Sequence, residues 1–289
     1  MNDPLVSVIL PSYNHAKYVI ATLDSVLEQD YSNLEFLIVD DGSTDDSVNV
    51  ITDWIKTKGV GMKISFRSRP NKGISATLNE LLEMSKGEFI AGASSDDTFL
   101  PGSFSKRMKY LLNHPEKLAV FGNFNVLDKN GAILAEDGIT SRFGGVTSEF
   151  SNDHSMRRSF LRKFCVAGPV VLLRKSAFNE VGLFDEKFVI EDWDLYLRLS
   201  ARGVLGYLDQ AVAGYRVHDG NSHFHRKKSL ESVRYERRVL EKNRHLYSGE
   251  DLVYVEALIR RRKKKEISHV LEGFFKRTLE RLGLRRKKD

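Results

Sequence analysis

The chain is poor in the residues that staple, punctuate or anchor a fold. Its single cysteine, Cys165, cannot close an internal disulfide and has no partners for a cysteine-bound zinc site. The expectation is therefore a reducing, cytoplasmic setting, with Cys165 as buried filler. Only six prolines occur in 289 residues, and no internal repeat or low-complexity linker divides them. One large domain with an appendage fits better than two equal domains. No uncharged apolar run reaches the roughly 20 residues that a membrane-crossing helix needs. The start, Met1-Asn-Asp-Pro4, has no basic segment followed by an apolar one, so secretion is not expected. The loop after the first apolar run, Pro11-Ser-Tyr-Asn-His-Ala16, lacks a G-x-G-x-x-G fingerprint, and no G-x-x-x-x-G-K-[ST] loop occurs anywhere. A dinucleotide oxidoreductase is disfavoured accordingly.

What is abundant is charge, unevenly spread. Lys and Arg total 45 against 39 Asp and Glu, a net of +6, and the longest basic runs, Arg260-Arg-Arg-Lys-Lys-Lys265 and Arg285-Arg-Lys-Lys288, lie near the end. Among them Ile267, Val270, Leu271, Phe274 and Leu282 follow helical spacing. Two readings fit: a solvated helix face, or a helix that docks on protein or on an anionic membrane surface. Nucleic acid is the weaker reading of the same charge. The expected division is residues 1–222 as a catalytic domain and 223–289 as a basic helical region for the membrane surface or self-association. The whole would be cytoplasmic or peripheral on the cytoplasmic face.

The first two-thirds alternate strand and helix. Val6 to Leu10 is a β-branched apolar run suited to a strand buried on both faces. His15 to Gln29 has a helical stripe, and Leu34 to Val39 is a second strand. Thr44 and Asp45 suit the N-cap of the helix carrying Val48, Ile51 and Trp54. Lys63 to Arg67, Ile74 to Met84 and Glu88 to Ala91 read as strand, helix and strand. Strands are expected again from Ala119 to Leu134 and from Val166 to Leu173, and helices over Lys175 to Val181 and Glu191 to Arg202. This is the pattern of an α/β open sheet, mostly parallel and flanked by helices, with ligands beyond the carboxyl ends of its strands. The polar clusters Pro11-Ser-Tyr-Asn14, Asp40-Asp41 and Asp96-Asp97 all fall at such ends.

Each cluster has a plain reading beside a chemical one. Asp96-Asp97 makes an anionic pair that a hard divalent cation could bridge to phosphate oxygens, but adjacent acids also make turns. Glu191-Asp192 opens a helix, where acids compensate the dipole; alternatively, one faces the cleft as a general base. Asp40-Asp41 fits a turn, or an acceptor for the imide of a pyrimidine.

Taken together, from Val6 to His218, these segments resemble glycosyltransferase family two, the inverting family with the GT-A fold. Val6-Ser-Val-Ile-Leu-Pro-Ser-Tyr-Asn14 looks like its first strand and loop, which implies that Pro11, Ser12 and Tyr13 line a base pocket. Leu37-Ile-Val-Asp-Asp-Gly-Ser-Thr-Asp45 is similar to its second signature, with Asp41 on uracil or thymine. Asn71-Lys-Gly-Ile-Ser-Ala-Thr-Leu-Asn79 resembles the loop and helix before the metal strand, which brings Asn71 and Lys72 to the nucleotide sugar. Gly87 to Pro101 looks like the metal segment, with Ser94, Ser95 and Asp96 on the donor and Asp96 and Asp97 on the metal. Asp185 and Glu191-Asp-Trp-Asp-Leu-Tyr-Leu-Arg198 match the acceptor-side signature, which implies Asp192 as base beside Glu191. Tyr215-Arg-Val-His218 also looks like a family element, with His218 or Arg216 at the diphosphate or metal.

One departure is Ser94, where the family often has an acid, which leaves donor identity open. Another is the absence of the Gln-x-x-Arg-Trp signature of processive synthases, which implies one sugar per encounter. The resemblance implies a Mn²⁺- or Mg²⁺-assisted transfer from a nucleoside-diphosphate sugar, UDP-sugars first, to a hydroxyl of a glycan or lipid-linked glycan in cell-surface polysaccharide assembly. The competing reading is a sugar-nucleotide-binding protein without turnover. Self-association through the charged tail stays open.

Overall fold

The computed structural model describes residues 3–166, 168–187, 191–221 and 229–281, with side chains to 272. It divides into two compact units, Met1–His218 and Asp219–Asp289. The expected boundary at 222/223 lies outside the described residues, as do Leu282, the Phe274 side chain and the run from Arg285 to Lys288.

In the first unit β1 (Val6–Ser12), α1 (Val19–Leu27), β2 (Leu34–Asp40), α2 (Ser47–Thr57), β3 (Lys63–Ser68), α3 (Ile74–Met84) and β4 (Phe89–Gly92) follow one another as the alternation predicts. Thereafter come β5 (Thr98–Phe99), α4 (Ser103–Asn113), β6 (Ala119–Leu127), β7 (Ile133–Ala135), α5 (Gly138–Ser141), α6 (Asp153–Arg162), β8 (Val171–Arg174), α7 (Ala177–Val181), α8 (Glu191–Ala201) and β9 (Leu205–Arg216). The sheet order is β3-β2-β1-β4-β8-β6-β9-β5, with β7 on β6. The open α/β sheet is as expected, but it is mixed rather than mostly parallel. β3, β2, β1 and β4 pair in parallel, as do β6 and β9, whereas β8 runs against both β4 and β6, and β5 against β9.

The reversal of β8 between β4 and β6 has a consequence for the site. Because β4 and β6 both run against β8, they point the same way, and β9, parallel to β6, joins them. The carboxyl ends of β1, β2, β4 and β9 therefore share one edge. The turn 202–204 joins α8 to β9, so α8 runs back against β9 and brings its N-terminus, with Glu191 and Asp192, to that edge. Val6, Val8, Leu10, Phe36, Ile38, Phe89 and Ala91 are sealed from water between the sheet and α1, α2 and α4. At about 25 cal/mol per Å² of apolar surface, burial of this kind holds the edge rigid.

In the second unit α9 (Leu230–Asn243) lies along α10 (Gly249–Arg281). Ion pairs from Arg234 and Arg237 to Glu266 and from Arg262 to Glu236 tie them. Ser229 caps α9 by accepting the Ser232 N–H. No helix among the described residues is long and apolar enough to cross a membrane.

Candidate active site

Four loop ends meet at the shared edge. The turn after β1 is fixed by Asn14, whose φ of +53° lies in the left-handed region that asparagine tolerates. Its Oδ1 accepts the Thr44 N–H at 2.7 Å and its own N–H donates to Ser43 Oγ at 2.8 Å, which locks this turn to the one after β2. The latter turn must pass close to the Arg69–Asn71 backbone. Gly42, with φ of +76°, allows it, since a Cβ there would stand 2.7 Å from Asn71 N.

Asp96, at the end of β4, points into the edge. His218 Nε2 lies 3.1 Å and His15 Nε2 3.8 Å from the same oxygen, Asp96 Oδ2. One ligand atom from each of His15, Asp96 and His218 fits within 4.8 Å of the others. Burial opposes ionisation of Asp96, but the His218 hydrogen bond and the charges of both imidazoles hold its carboxyl below the usual range. Burial, chiefly, lowers the His15 pKa. Ser95, expected on the donor, also sets the His15 ring: its Oγ is 2.7 Å from His15 Nδ1.

Asp97 departs from the expected metal pair. Its Oδ1 accepts the Arg216 N–H at 2.7 Å, and it lies outside the three-residue group. Burial and the adjacent Asp96 charge push its carboxyl well above the ordinary value. Asp96 thus faces the two imidazoles, while Asp97 faces β9.

Asp192 lines a small cavity of about 70 Å³ with Pro11, Ser94, Glu191 and Tyr196 and the apolar side chains of Ile9, Leu78 and Phe184. In these surroundings loss of hydration raises its pKa to about 6. Tyr196, four residues on, stacks on Phe160 and keeps its hydroxyl buried without a hydrogen-bond partner among the described residues. The same signature supplies Arg198, which pairs with buried Asp194 and donates to the Val181 and Gly182 carbonyls. Asp185, by contrast, sits in the turn after α7 and accepts the Lys187 N–H.

On the β1–β2 side, Tyr13 is 46% exposed, while Ser12 is buried with an Oγ that has no partner among the described residues. Asp41 is almost fully engaged: Arg69 Nη1 and the Lys72 N–H meet Oδ1, and the Gly73 N–H meets Oδ2 at 3.0 Å. Asn71 accepts the Gly73 N–H, and the Lys72 side chain lines a separate open groove with Asn79 and Glu83. Asp40 is wholly buried and accepts the Ser43 N–H and hydroxyl, the turn role that an acid can fill there. His15, Arg69 and Tyr196 are the residues that sequence reasoning did not single out. A histidine directly after the Ser-Tyr-Asn turn of a buried strand is the one local signal that could have marked His15.

The sequence model for glycosyl transferase family 2 matches residues 7–182. An uncharacterized glycosyltransferase of Rickettsia typhi is 28% identical over 225 residues, covering 76% of this chain and 66% of that protein. A chondroitin synthase of Pasteurella multocida is 29% identical over 220 residues, covering 76% of this chain and 21% of its own length. The chain thus spans only part of these relatives. In structure it is similar to Staphylococcus aureus TarS 1-349 in complex with UDP-GlcNAc (TM-score 0.65, 19% identity, 91% of this chain and 72% of that one). It is also similar to the mannosyltransferase PcManGT of Pyrobaculum calidifontis in complex with GDP-Man and Mn²⁺ (TM-score 0.68, 16% identity, 98% and 81%). The fold is that of GT-A glycosyltransferases, and with a family match over more than half its length the chain belongs to glycosyl transferase family 2.

Proposed function

We propose that this chain is an inverting glycosyltransferase that moves one sugar from a UDP-sugar to a hydroxyl acceptor. The observation that carries the reading is Asp192, a carboxylate with its pKa raised to about 6 in a cavity shared with Ser94. Ser94 lies two residues before the Asp96 carboxylate that faces His218. A base near neutrality, set beside a phosphate-side ligand group, is what a single in-line displacement needs. Asp192 takes the acceptor proton as its oxygen attacks the anomeric carbon, the bond to the diphosphate breaks, and the configuration inverts. Glu191, beside it on the cavity wall, adds negative charge that favours an acceptor hydroxyl over an anion.

The donor set at Asp96 and His218, one hard oxygen and one imidazole nitrogen, fits a divalent cation. They would hold Mn²⁺ or Mg²⁺, which supplies Lewis-acid neutralisation of the departing diphosphate. Asp97, occupied by Arg216, is left out of that role. For the base, capacity decides. A carboxylate accepts about four hydrogen bonds; Asp41 already takes three, so one remains. That suits the single N3–H of uracil, with Tyr13 free to stack, better than the paired donors of guanine. Ser12, Asn71, Lys72 and Ser95 complete the donor side.

Kinship with polysaccharide synthases supports a glycan or lipid-linked glycan as acceptor. The basic run on α10 supports attachment at an anionic membrane surface, on the cytoplasmic face. Calorimetric titration with UDP, with and without Mn²⁺, tests the reading. Binding that tightens with Mn²⁺ and weakens about tenfold or more in Asp96→Ala is expected, together with release of UDP from at least one UDP-sugar. Absence of nucleotide binding would refute it, and binding without turnover on any nucleotide sugar would favour the non-catalytic alternative.

A further inference from the structure

The turn after β1 brings a second imidazole to Asp96, and nothing in the donor-binding reading requires it. His15 is held from three sides. Its backbone N–H donates to Ser47 Oγ at 3.0 Å, Asn14 pins the preceding peptide to the β2 turn, and Ser95 Oγ sits 2.7 Å from ring Nδ1. With Nδ1 engaged, Nε2 is the free ring atom, and it faces Asp96 Oδ2 at 3.8 Å, across from His218 Nε2 at 3.1 Å. The two rings stand perpendicular with centroids 5.6 Å apart, so their nitrogen lone pairs converge rather than stack. Tyr18, with its ring 4.4 Å from that of His218, backs the His218 imidazole.

We infer that His15 is a third protein ligand, giving a carboxylate and two imidazoles as a built site that takes a transition-metal ion in preference to Mg²⁺ and takes it before any nucleotide arrives. The inference rests on the metal-assisted reading above and adds the ligand, the class of ion and the order of binding. Ligand atoms on one ion stand up to roughly twice a 2.0–2.2 Å bond apart. The spread within 4.8 Å closes to that with a shift of a few tenths of an ångström. The Ser95 hydroxyl completes the ligand: a metal-bound histidine donates its other N–H to an acceptor that fixes the ring, and a hydroxyl can accept there or, without metal, donate. Mg²⁺ dehydrates reluctantly and binds through one or two carboxylates plus phosphate, so a two-nitrogen site serves it poorly. Imidazole suits later ions, with affinity rising from Mn²⁺ to Co²⁺. Three protein ligands also remove the need for the diphosphate to complete the shell, whereas Asp96 and His218 alone would gain the ion mainly with the nucleotide.

The test uses the full chain free of nucleotide. Mn²⁺ is titrated while the paramagnetic resonance signal of free Mn²⁺ is followed, for the wild type, His15→Gln, Ser95→Ala and Asp96→Asn. Expected are one Mn²⁺ per chain in the wild type, about tenfold or greater weakening in His15→Gln, a smaller loss in Ser95→Ala, and displacement by Mg²⁺ only at about tenfold excess or more. Melting in EDTA should be the same for the wild type and His15→Gln. Spin-echo modulation on wild-type bound Mn²⁺ should report two imidazole nitrogens, a readout that needs no variant to fold. One nitrogen, or wild-type affinity in His15→Gln while Asp96→Asn loses the ion, would overturn His15 and leave the proposed function standing. Mn²⁺ binding untouched by either substitution would overturn the metal site itself.

Discussion

Asp192→Asn keeps the shape of the side chain and removes its charge, so it separates what Asp192 does for chemistry from what it costs the fold. The cavity around it is walled mainly by Ile9, Leu78, Val171, Leu173, Phe184 and Leu195, and loss of water there lifts the carboxyl from its ordinary 3.8 to about 6. A tenfold step in ionisation is worth 1.36 kcal/mol, so an ionised Asp192 costs the folded state roughly 3 kcal/mol. The sign follows from linkage. Below pH 4 the group is protonated in both folded and unfolded chains, and there is no penalty; the penalty grows as pH rises from 4 to 6 and is complete above 6. Asn carries none of it. Asp192→Asn should therefore melt several degrees above the wild type at pH 8 and with it at pH 4, at about 2–4 °C per kcal/mol for a unit of this size. Turnover should fall by roughly 10²–10⁴, the usual worth of a general base. In the wild type kcat/KM should drop about tenfold per pH unit below 6, and Asp192→Asn should lack that limb. Scanning calorimetry from pH 4 to 8, beside a UDP-release assay, measures both. A near-normal rate would remove Asp192 from the base role. A melting gain that is equal at pH 4 and pH 8 would show that desolvation of the charge is not its source.

Three further expectations concern the scaffold and the tail. Gly87→Ala should lower stability by about 1–3 kcal/mol, because a Cβ there would stand 2.6 Å from Ser7 N and 2.8 Å from the Leu5 carbonyl; an unchanged urea midpoint would contradict that approach. Arg198→Met should cost about 3–5 kcal/mol by stranding buried Asp194, and Asp194→Leu combined with it should recover much of the loss; the double variant, if no better than the single one, would tell against the pair. Lys263, Lys264 and Lys265, all exposed on α10, should carry attachment to anionic vesicles. Their replacement by Glu should release the protein in flotation assays, and unchanged flotation would assign the attachment elsewhere.

The parts of the fold that were legible from sequence are those where burial writes a pattern. Val6, Val8 and Leu10 are fully enclosed, and a two-faced buried strand shows as a continuous β-branched run. Ile74–Met84 forms a helix over the same residues as its apolar stripe. β9 was not legible, although it lies inside the sheet, because its middle is half-exposed and Asp209, Gln210 and Gly214 interrupt the run. Its pairing with β6 also slips register at Gly122 and Asn123. The strand pattern expected over 119–134 divides into β6 and β7 where Asp128 Oδ1 accepts the N–H groups of Asn130 and Ala132 and turns the chain. α6 lies where the sequence pattern announces no element, and it is started by Asn152 accepting the Ser155 N–H. The site divides the same way. Asp96 and Asp192 stand in short local signatures, whereas the part His15 plays depends on Ser95, 80 residues away, and no local pattern announces such a partner.

Which acid of the Asp96-Asp97 pair faces the site is decided by Arg216. Its backbone N–H takes Asp97 Oδ1 at 2.7 Å, and its side-chain Nε takes the Asp96 carbonyl at 2.9 Å. From the opposite side Thr22 Oγ, on α1, donates to the Asp97 carbonyl at 2.6 Å. The two successive carbonyls of the acids are thus gripped by β9 and α1, and the Asp96 carboxylate meets His218. Arg216 is itself held over the Tyr18 ring at 5.5 Å. Two residues further along the same chain His218 meets the carboxylate that Arg216 has aimed. One strand end therefore supplies both the clamp and the ligand, and any error in the position of β9 moves the two together. A site assembled this way keeps its internal geometry through small shifts of the sheet, which is the preorganisation that a metal-assisted transfer requires.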